Sequence, residues 1–514
     1  MNNSDSSDIQ KSRKWFDKGL AYGDLKNYKR AIECYDKAIK INLKYNSAWY
    51  NKAIAYHDLK NYKQAIACYD KAIEINVKDA DAWHNKGHAH SDLKNYKQAI
   101  FCYDKTIAID PKHANAWFSK GWAHADLKNY KEAIACYDKA IAIDPKHSNA
   151  WHNKGLAYTQ LKNYKQVIFC YDKATEIDVE DEFTWYQKGQ LYFYLKNYEK
   201  AIACYDKAIK IESKESIYWI RKGVSYSCLE NYKEAIACYD KAIEIDPKDA
   251  NAWHNKGNAY NNLKKYKQAI ACYDKAIEIN PKGDGAWYNK GNAYHDLKNY
   301  KQAIVCYDKA TEIDPTNAKA WHNKGLVYNI LENYEQVITC YDKVTEIDNE
   351  YPNAWINKGT AYRSLENYEQ VITCYDKVTE INPKHEYAWI NKGTAYRSLE
   401  NYEDAIACYD KVTKINRKNV NAWNNKGRSY YNLGNYKQAI ACYDKATELD
   451  PKHDGVWFNK GLAYDDLKNY KKTIACYDKA TDLNATYGYA WNNKGWAYYN
   501  LGNYKQAIAC YDKA

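Results

Sequence analysis

The chain has 514 residues, 46% hydrophobic and 27% charged, a balance that excludes a disordered polymer. A net charge of +11 comes from evenly spread lysines rather than a basic patch, which argues against a dedicated nucleic-acid binder. No apolar run reaches the roughly 18 residues that span a bilayer, and the opening lacks the basic-then-apolar order of a secretory signal.

Taken in order, the chain opens with the polar stretch "MNNSDSSDIQK", read as a disordered lead-in over residues 1–11. Tryptophan then sets a period of 34: Trp15, Trp49, Trp83 and so on to Trp491, fifteen copies without an insertion. A fixed period of this size means a solenoid. Units start at 12, 46, 80, 114, 148, 182, 216, 250, 284, 318, 352, 386, 420, 454 and 488, a continuous array over residues 12–514. Within one unit, Trp253, Gly257, Tyr260 and Leu263 make one apolar stripe at helical spacing. Tyr266, Ala269, Ile270, Tyr273, Ala276 and Ile277 make a second. Between such stripes, an asparagine followed by Glu or Gln, as in Asn299 and Gln302, predicts an N-cap with a capping-box partner. Asp or Asn before Pro, as at Asn280-Pro281, closes the second helix.

The pattern Trp253, Gly257, Tyr260, Ala269, Tyr273, Ala276, Pro281 resembles the tetratricopeptide repeat and covers all but the first eleven residues. The resemblance implies an all-α, right-handed superhelix of helix-turn-helix units, with the first helix of each unit on the concave side. Two departures stand out: a lysine replaces the family's leucine at position seven of every unit, Lys18 to Lys494, and Ala53 replaces the glycine at position eight. A lysine stem can lie along Trp and Tyr faces with its ammonium in water. The last unit stops inside its second helix, so self-association is expected there, through Tyr498, Ala507 and Cys510.

Cysteine fills position twenty-three of every unit, Cys34 through Cys510, and Cys228 is extra. Members of such a column lie about 10 Å apart, too far for a disulfide, so free packed thiols and a reducing compartment, the cytoplasm, are expected. Export as a host-directed microbial protein stays open. His84 and His88 are spaced for a metal, with His90 nearby, but no carboxylate accompanies them and ordinary groove histidines are the expectation. No nucleophile elbow, phosphate loop or acid pair occurs. Neither catalysis, a metal nor a cofactor is expected.

Asparagine occupies position six in eleven units: Asn51, Asn85, Asn153, Asn255, Asn289, Asn323, Asn357, Asn391, Asn425, Asn459 and Asn493. It lies on the face that the resemblance makes concave, and it is a poor mid-helix residue. Its carboxamide offers donor and acceptor together, matching a peptide group. The column is similar to the asparagine ladder in the repeat domain of the O-linked N-acetylglucosamine transferase, which implies binding of an extended polypeptide. Asp24, Asp58, Asp92 and Asp126 form an acidic stripe on that face, and Arg363, Arg397 and Arg428 a basic cluster, both read as setting selectivity. The family's terminal-carboxylate clamp is incomplete: Asn258, Asn289 and Lys319 fit it, whereas His254 and Asn323 do not. The expected function is a protein-protein interaction scaffold. The alternatives are a targeting arm of an enzyme whose catalytic part lies elsewhere, and a self-associating solenoid.

Overall fold

The computed structural model describes residues 3–514, with side chains described from Asp8 onward. The described residues form thirty helices and no strand, and they divide into two compact units, Met1–Ala259 and Tyr260–Ala514. Within each unit the helices pack in antiparallel pairs, as Asn46–Asp58 does with Tyr62–Ile75 and Asp284–Asp296 with Tyr300–Ile313.

The lead-in is corrected. The first helix spans Asn3–Asp24, so the part of residues 1–11 that is described is helical rather than disordered, and Met1 and Asn2 lie outside the described residues. Once the Trp15 turn is docked, extending a helix costs little. Ser12 is buried and its hydroxyl donates to the Ala38 carbonyl at 2.9 Å, while Lys11 pairs with Asp8 at 3.5 Å.

The turn inside each repeat is tighter than a capping box. Lys298 takes φ of +58°. Its N–H donates to the His295 carbonyl, and the Asn299 N–H donates to the Tyr294 carbonyl, both at 2.8 Å. That pair of bonds is the αL stop of a helix. Asn299 then accepts from the Gln302 N–H at 3.4 Å and caps the second helix, as expected. The reciprocal half of the box does not form, because the Asn299 N–H is already spent on Tyr294. In repeats such as the second, Asn61 holds the same place without a side-chain cap bond. Lysine or glutamate occupies the left-handed position everywhere except Gly434 and Gly502. A β-carbon there costs about 1–2 kcal/mol, of which glycine's extra chain entropy takes back roughly half. Lys60→Gly, Lys94→Gly and Lys128→Gly should each therefore stabilise by about 0.5–1 kcal/mol. A triple variant that melts below the parent would refute this account of the turn.

Between repeats, the chain turns on an Asx bond rather than on proline. The Lys112 N–H donates to Asp110 Oδ1 at 3.0 Å, and where proline is missing the Glu180 N–H makes the same bond to Asp178 at 3.1 Å. Tryptophan ties this turn down: Trp117 Nε1 donates to the Pro111 carbonyl at 3.3 Å and Trp185 Nε1 to the Val179 carbonyl at 3.0 Å. The core lies between the helices, where a tyrosine such as Tyr307 is fully buried with Ala303 and Val327. Its ring lies so close to Gly291 that a β-carbon there would come within 2.6 Å of it.

The position-seven lysine does not end in water, contrary to expectation. Lys324 Nζ lies 2.6 Å from Asp308 Oδ1 of the preceding repeat and 4.7 Å above the Trp321 ring, with only 11% of its side chain exposed. The same pairing recurs from Lys52–Asp36 to Lys494–Asp478. Burial alone would lower the Lys52 pKa, but the hydrogen bond and charge of Asp36 outweigh it and hold the ammonium above its usual range. A leucine would cap the core equally well; the lysine adds a bond between repeats.

Candidate functional site

Within each unit, first helices of successive repeats also approach one another directly, as Asn46–Asp58 does Ala80–Asp92 and Val420–Asn432 does Asp454–Asp466. They therefore line the shorter arc, and the position-six column lies along them. Ten of its eleven asparagines are half-buried and Asn391 is buried. The column is not a row of unengaged amides. Asn51 Nδ2 donates to the Ser47 carbonyl at 2.8 Å and Asn153 Nδ2 to the Asn149 carbonyl at 2.9 Å, one turn back on their own helices. Others reach the neighbouring repeat: Asn85 to the Tyr50 hydroxyl at 2.7 Å, Asn459 to Asn424 Oδ1 at 3.0 Å. Asn357 Nδ2 donates to the core hydroxyl of Tyr341 at 2.9 Å. Asn323 Nδ2 donates to Tyr288 and to Asn292 Oδ1, which also accepts from the Tyr307 hydroxyl at 2.8 Å. The column is thus wired to the core, with amide donors turned inward.

The arginines join this column. Arg363 NH1 donates to Asn391 Oδ1 at 2.8 Å, and Arg397 NH1 to Asn425 Oδ1 at 3.3 Å. Arg397 is half-buried, and burial pulls its pKa below the ordinary value. The four aspartates are exposed, as a stripe requires. His57 Nε2 lies 2.9 Å from Asp92 Oδ2, and the Tyr96 hydroxyl bonds to Asp126, which together with burial raises that hydroxyl's pKa.

The histidine pair belongs to a larger cluster. His84 lies 4.5 Å from His88 and 4.8 Å from His113, ring centre to ring centre, and its Nε2 is 3.3 Å from the Ser119 hydroxyl. His113 closes the same repeat, at the turn into the next, and no periodicity flagged it; its Nδ1 accepts from the Ala116 N–H as a helix cap. Among the described residues no group of three or more histidine, cysteine or acidic side chains is arranged to hold a metal ion. The column cysteines are free and buried, and burial pushes a thiol such as Cys306 up to about 11, so these sulfurs are protonated packing groups. Cys228 is exposed. On the last repeat Ala507 and Cys510 are buried, and the exposed apolar groups instead include Tyr489, Trp496, Tyr499, Tyr504 and Ile508.

A recess between repeats five and six was not foreseen. Leu156, Gln187, Gln190, Leu191 and Tyr194 line it on the same inner face. The signal was present as a break in pattern, since Gln187 replaces the asparagine and Tyr194 the usual small polar residue.

The tetratricopeptide repeat model matches residues 12–45, 47–79, 250–282, 285–317, 352–385, 420–453, 456–487 and 488–514, which is half of the chain. The chain is a tetratricopeptide-repeat protein. Further models of the same repeat match 68–101, 223–264, 306–339, 374–407 and 393–434. A model of subunit 3 of the anaphase-promoting complex, or cyclosome, matches 92–174 and 126–208. Among solved structures it is similar to YrrB, described as a TPR protein with an unusual peptide-binding site, at 25% identity over 37% of this chain and 97% of that one, TM-score 0.33. It is similar to MamA at 22% identity over 30% of this chain and 91% of that one, TM-score 0.29. The Cut9-Hcn1 hetero-tetramer of the anaphase-promoting complex is 15% identical over 95% of this chain and 96% of that one, TM-score 0.35. No curated protein sequence matches the chain. The tetratricopeptide repeat is in general a non-catalytic interaction module, and this tetratricopeptide-repeat protein is a protein-interaction scaffold. No helix among its described residues is long and apolar enough to cross a membrane.

Proposed function

We propose that this scaffold binds an extended polypeptide along its inner face through the position-six asparagines, in a reducing compartment. The observation that supports the reading is a half-buried carboxamide recurring at one position of eleven first helices, in a place where alanine would make the better helix. An extended chain advances about 3.3 Å per residue, so one asparagine per repeat of about 10 Å meets every third peptide group. The inward bonds to carbonyls and hydroxyls are the free-state partners of these amides. A peptide group presents the same donor and acceptor and can replace them with little net loss of hydrogen bonding.

Asn51 and Asn153 give the cleanest test, because their donors reach only carbonyls of their own helices and alanine leaves no neighbouring side chain stranded. Replacing both with alanine should weaken binding of a pool of random-sequence unstructured peptides by about 1–3 kcal/mol, at about 0.5–1.5 for each hydrogen-bonded site. The melting temperature should hold or rise, since alanine favours helix. Equal affinity of parent and variant for the pool, measured by fluorescence anisotropy, would remove the asparagines from the binding surface.

A further inference from the structure

We propose that Arg363, Arg397 and Arg428 form a receptor for one anionic side chain, a carboxylate or a phosphate, carried by the polypeptide on the inner face. The inference rests on the extended-polypeptide reading and states which residue type that polypeptide must place at repeats eleven to thirteen.

Arg397 lies close enough to Arg428 for that charge to act on it, and Arg363 holds the matching place one repeat earlier, on Asn391. The other inner cations of the same repeats are paired: Lys358 with Asp342, Lys392 with Asp376 and Lys426 with Asp410. No ion pair among the described residues includes any of the three arginines. Glu386 accepts from Asn416 and Asn419, and Asp404 from Asn401, rather than from an arginine. Arg363 and Arg397 each place NH1 on an asparagine oxygen, which aims the guanidinium and uses one of its five N–H donors. The edges that remain match the two oxygens of a carboxylate or phosphate.

Helix electrostatics account for only part of the cluster. Arg363 and Arg397 stand in the last turns of Pro352–Ser364 and Glu386–Ser398, where a cation is favoured by the dipole. Arg428 does not; it lies before the last turn of Val420–Asn432. Its charge acts on half-buried Arg397 in the same sense as burial, against the protonated form, and the groups that oppose this are the hydroxyls of Tyr409, Tyr443 and Tyr402 rather than carboxylates. Half-burying Arg397 beside a like charge is costly unless an anion joins it, and Arg363 and Arg428 are exposed and open to one. The acidic stripe of Asp24, Asp58, Asp92 and Asp126 belongs to the other compact unit.

The test uses the full chain and three labelled peptides on one glutamine-rich scaffold, with glutamine, glutamate or phosphoserine at the centre. Charge-assisted hydrogen bonds are worth about 1.5–3 kcal/mol, so the glutamate or the phosphoserine peptide should bind at least about tenfold more tightly than the glutamine peptide. Whichever gains more names the source of the anion. Arg397→Gln with Arg428→Gln should erase the gain and flatten its salt dependence. Arg397→Lys with Arg428→Lys keeps the charge and loses the fork, and should lose most of the gain with unchanged helical circular dichroism; this covers the case in which the glutamine variant misfolds. Asn51→Ala with Asn153→Ala should instead weaken all three peptides alike and preserve the gain. If the glutamine peptide does not bind at all, the asparagine reading fails while the gain still decides the arginine site. No gain in the parent, a gain that survives both arginine variants, or tighter binding of a polythymidylate than of either anionic peptide would overturn the proposal.

Discussion

Replacing Tyr307 with alanine should destabilise the second unit by about 3–5 kcal/mol, the range for emptying a large buried aromatic site. The ring is 1% exposed and packs with Ala303, Val327, Tyr288 and Tyr294, so its loss opens the repeat's own helix pair and the junction with the next repeat together. Collapse is hindered on the Gly291 side, where there is no side chain to move into the space. In a solenoid each repeat leans only on its neighbours, so protection from hydrogen exchange should fall most in the repeats around 284–351 and little elsewhere. Tyr307→Phe separates packing from polarity. It removes only the hydroxyl bond to Asn292 and should cost about 1 kcal/mol. Because Asn292 also accepts from Asn323, this milder variant should weaken peptide binding more than its stability loss suggests. Denaturant unfolding in which Tyr307→Ala stays within about 1 kcal/mol of the parent would remove the tyrosine from the load of the core.

Acidification should loosen the repeats around His84 before the rest of the first unit. Burial, then the charges of His88 and His113, pull the His84 pKa down to about 3, against about 6.5 in an unfolded chain. The folded value is the lower one, so the unfolded state binds the proton first. The contribution is complete above about pH 6.5 and is lost as pH falls from there toward about 3. At about 1.4 kcal/mol per pH unit for one proton, roughly 3 kcal/mol should be gone by about pH 4. His88 is also held low by burial and by His57, and Asp92 opposes this, so it adds in the same direction. Asp92 also faces His57, and Asp81 lies 3.9 Å from His113. His84→Phe should flatten the slope between about pH 6.5 and 4. Phenylalanine is suited to the place, since Phe118 holds it in the next repeat, against Tyr137 and His147. Parallel stability curves for parent and variant over that range would show that the cluster does not carry the acid sensitivity.

Much of the molecule was legible in one dimension. The spacing of Trp15 to Trp491 fixes a repeat, and the stripes ending in Leu263 and Ile277 fix two helices within it, because a helix face must carry its apolar residues three and four apart whatever it packs against. The cysteine column could be read as unpaired for a similar reason, since a constant period sets the distance between its members. Local rules failed where a group's partner comes from elsewhere in the fold. The Asn299 N–H was expected to complete a capping box and is instead claimed by Tyr294, because two helix ends share one three-residue turn. Lys324 was expected in water, yet Asp308 lies across the repeat junction and meets it there. His113 joined His84 only when the chain turned from one repeat into the next. Position in the sequence thus determined which residues face inward; only the tertiary structure decided which of them are already engaged. Periodicity constrains backbone and burial, whereas a hydrogen bond or ion pair depends on the last few ångströms between side chains of different repeats. That is why Arg363 and Arg397, read from the sequence as a charge pattern, became in the fold two forks held by Asn391 and Asn425.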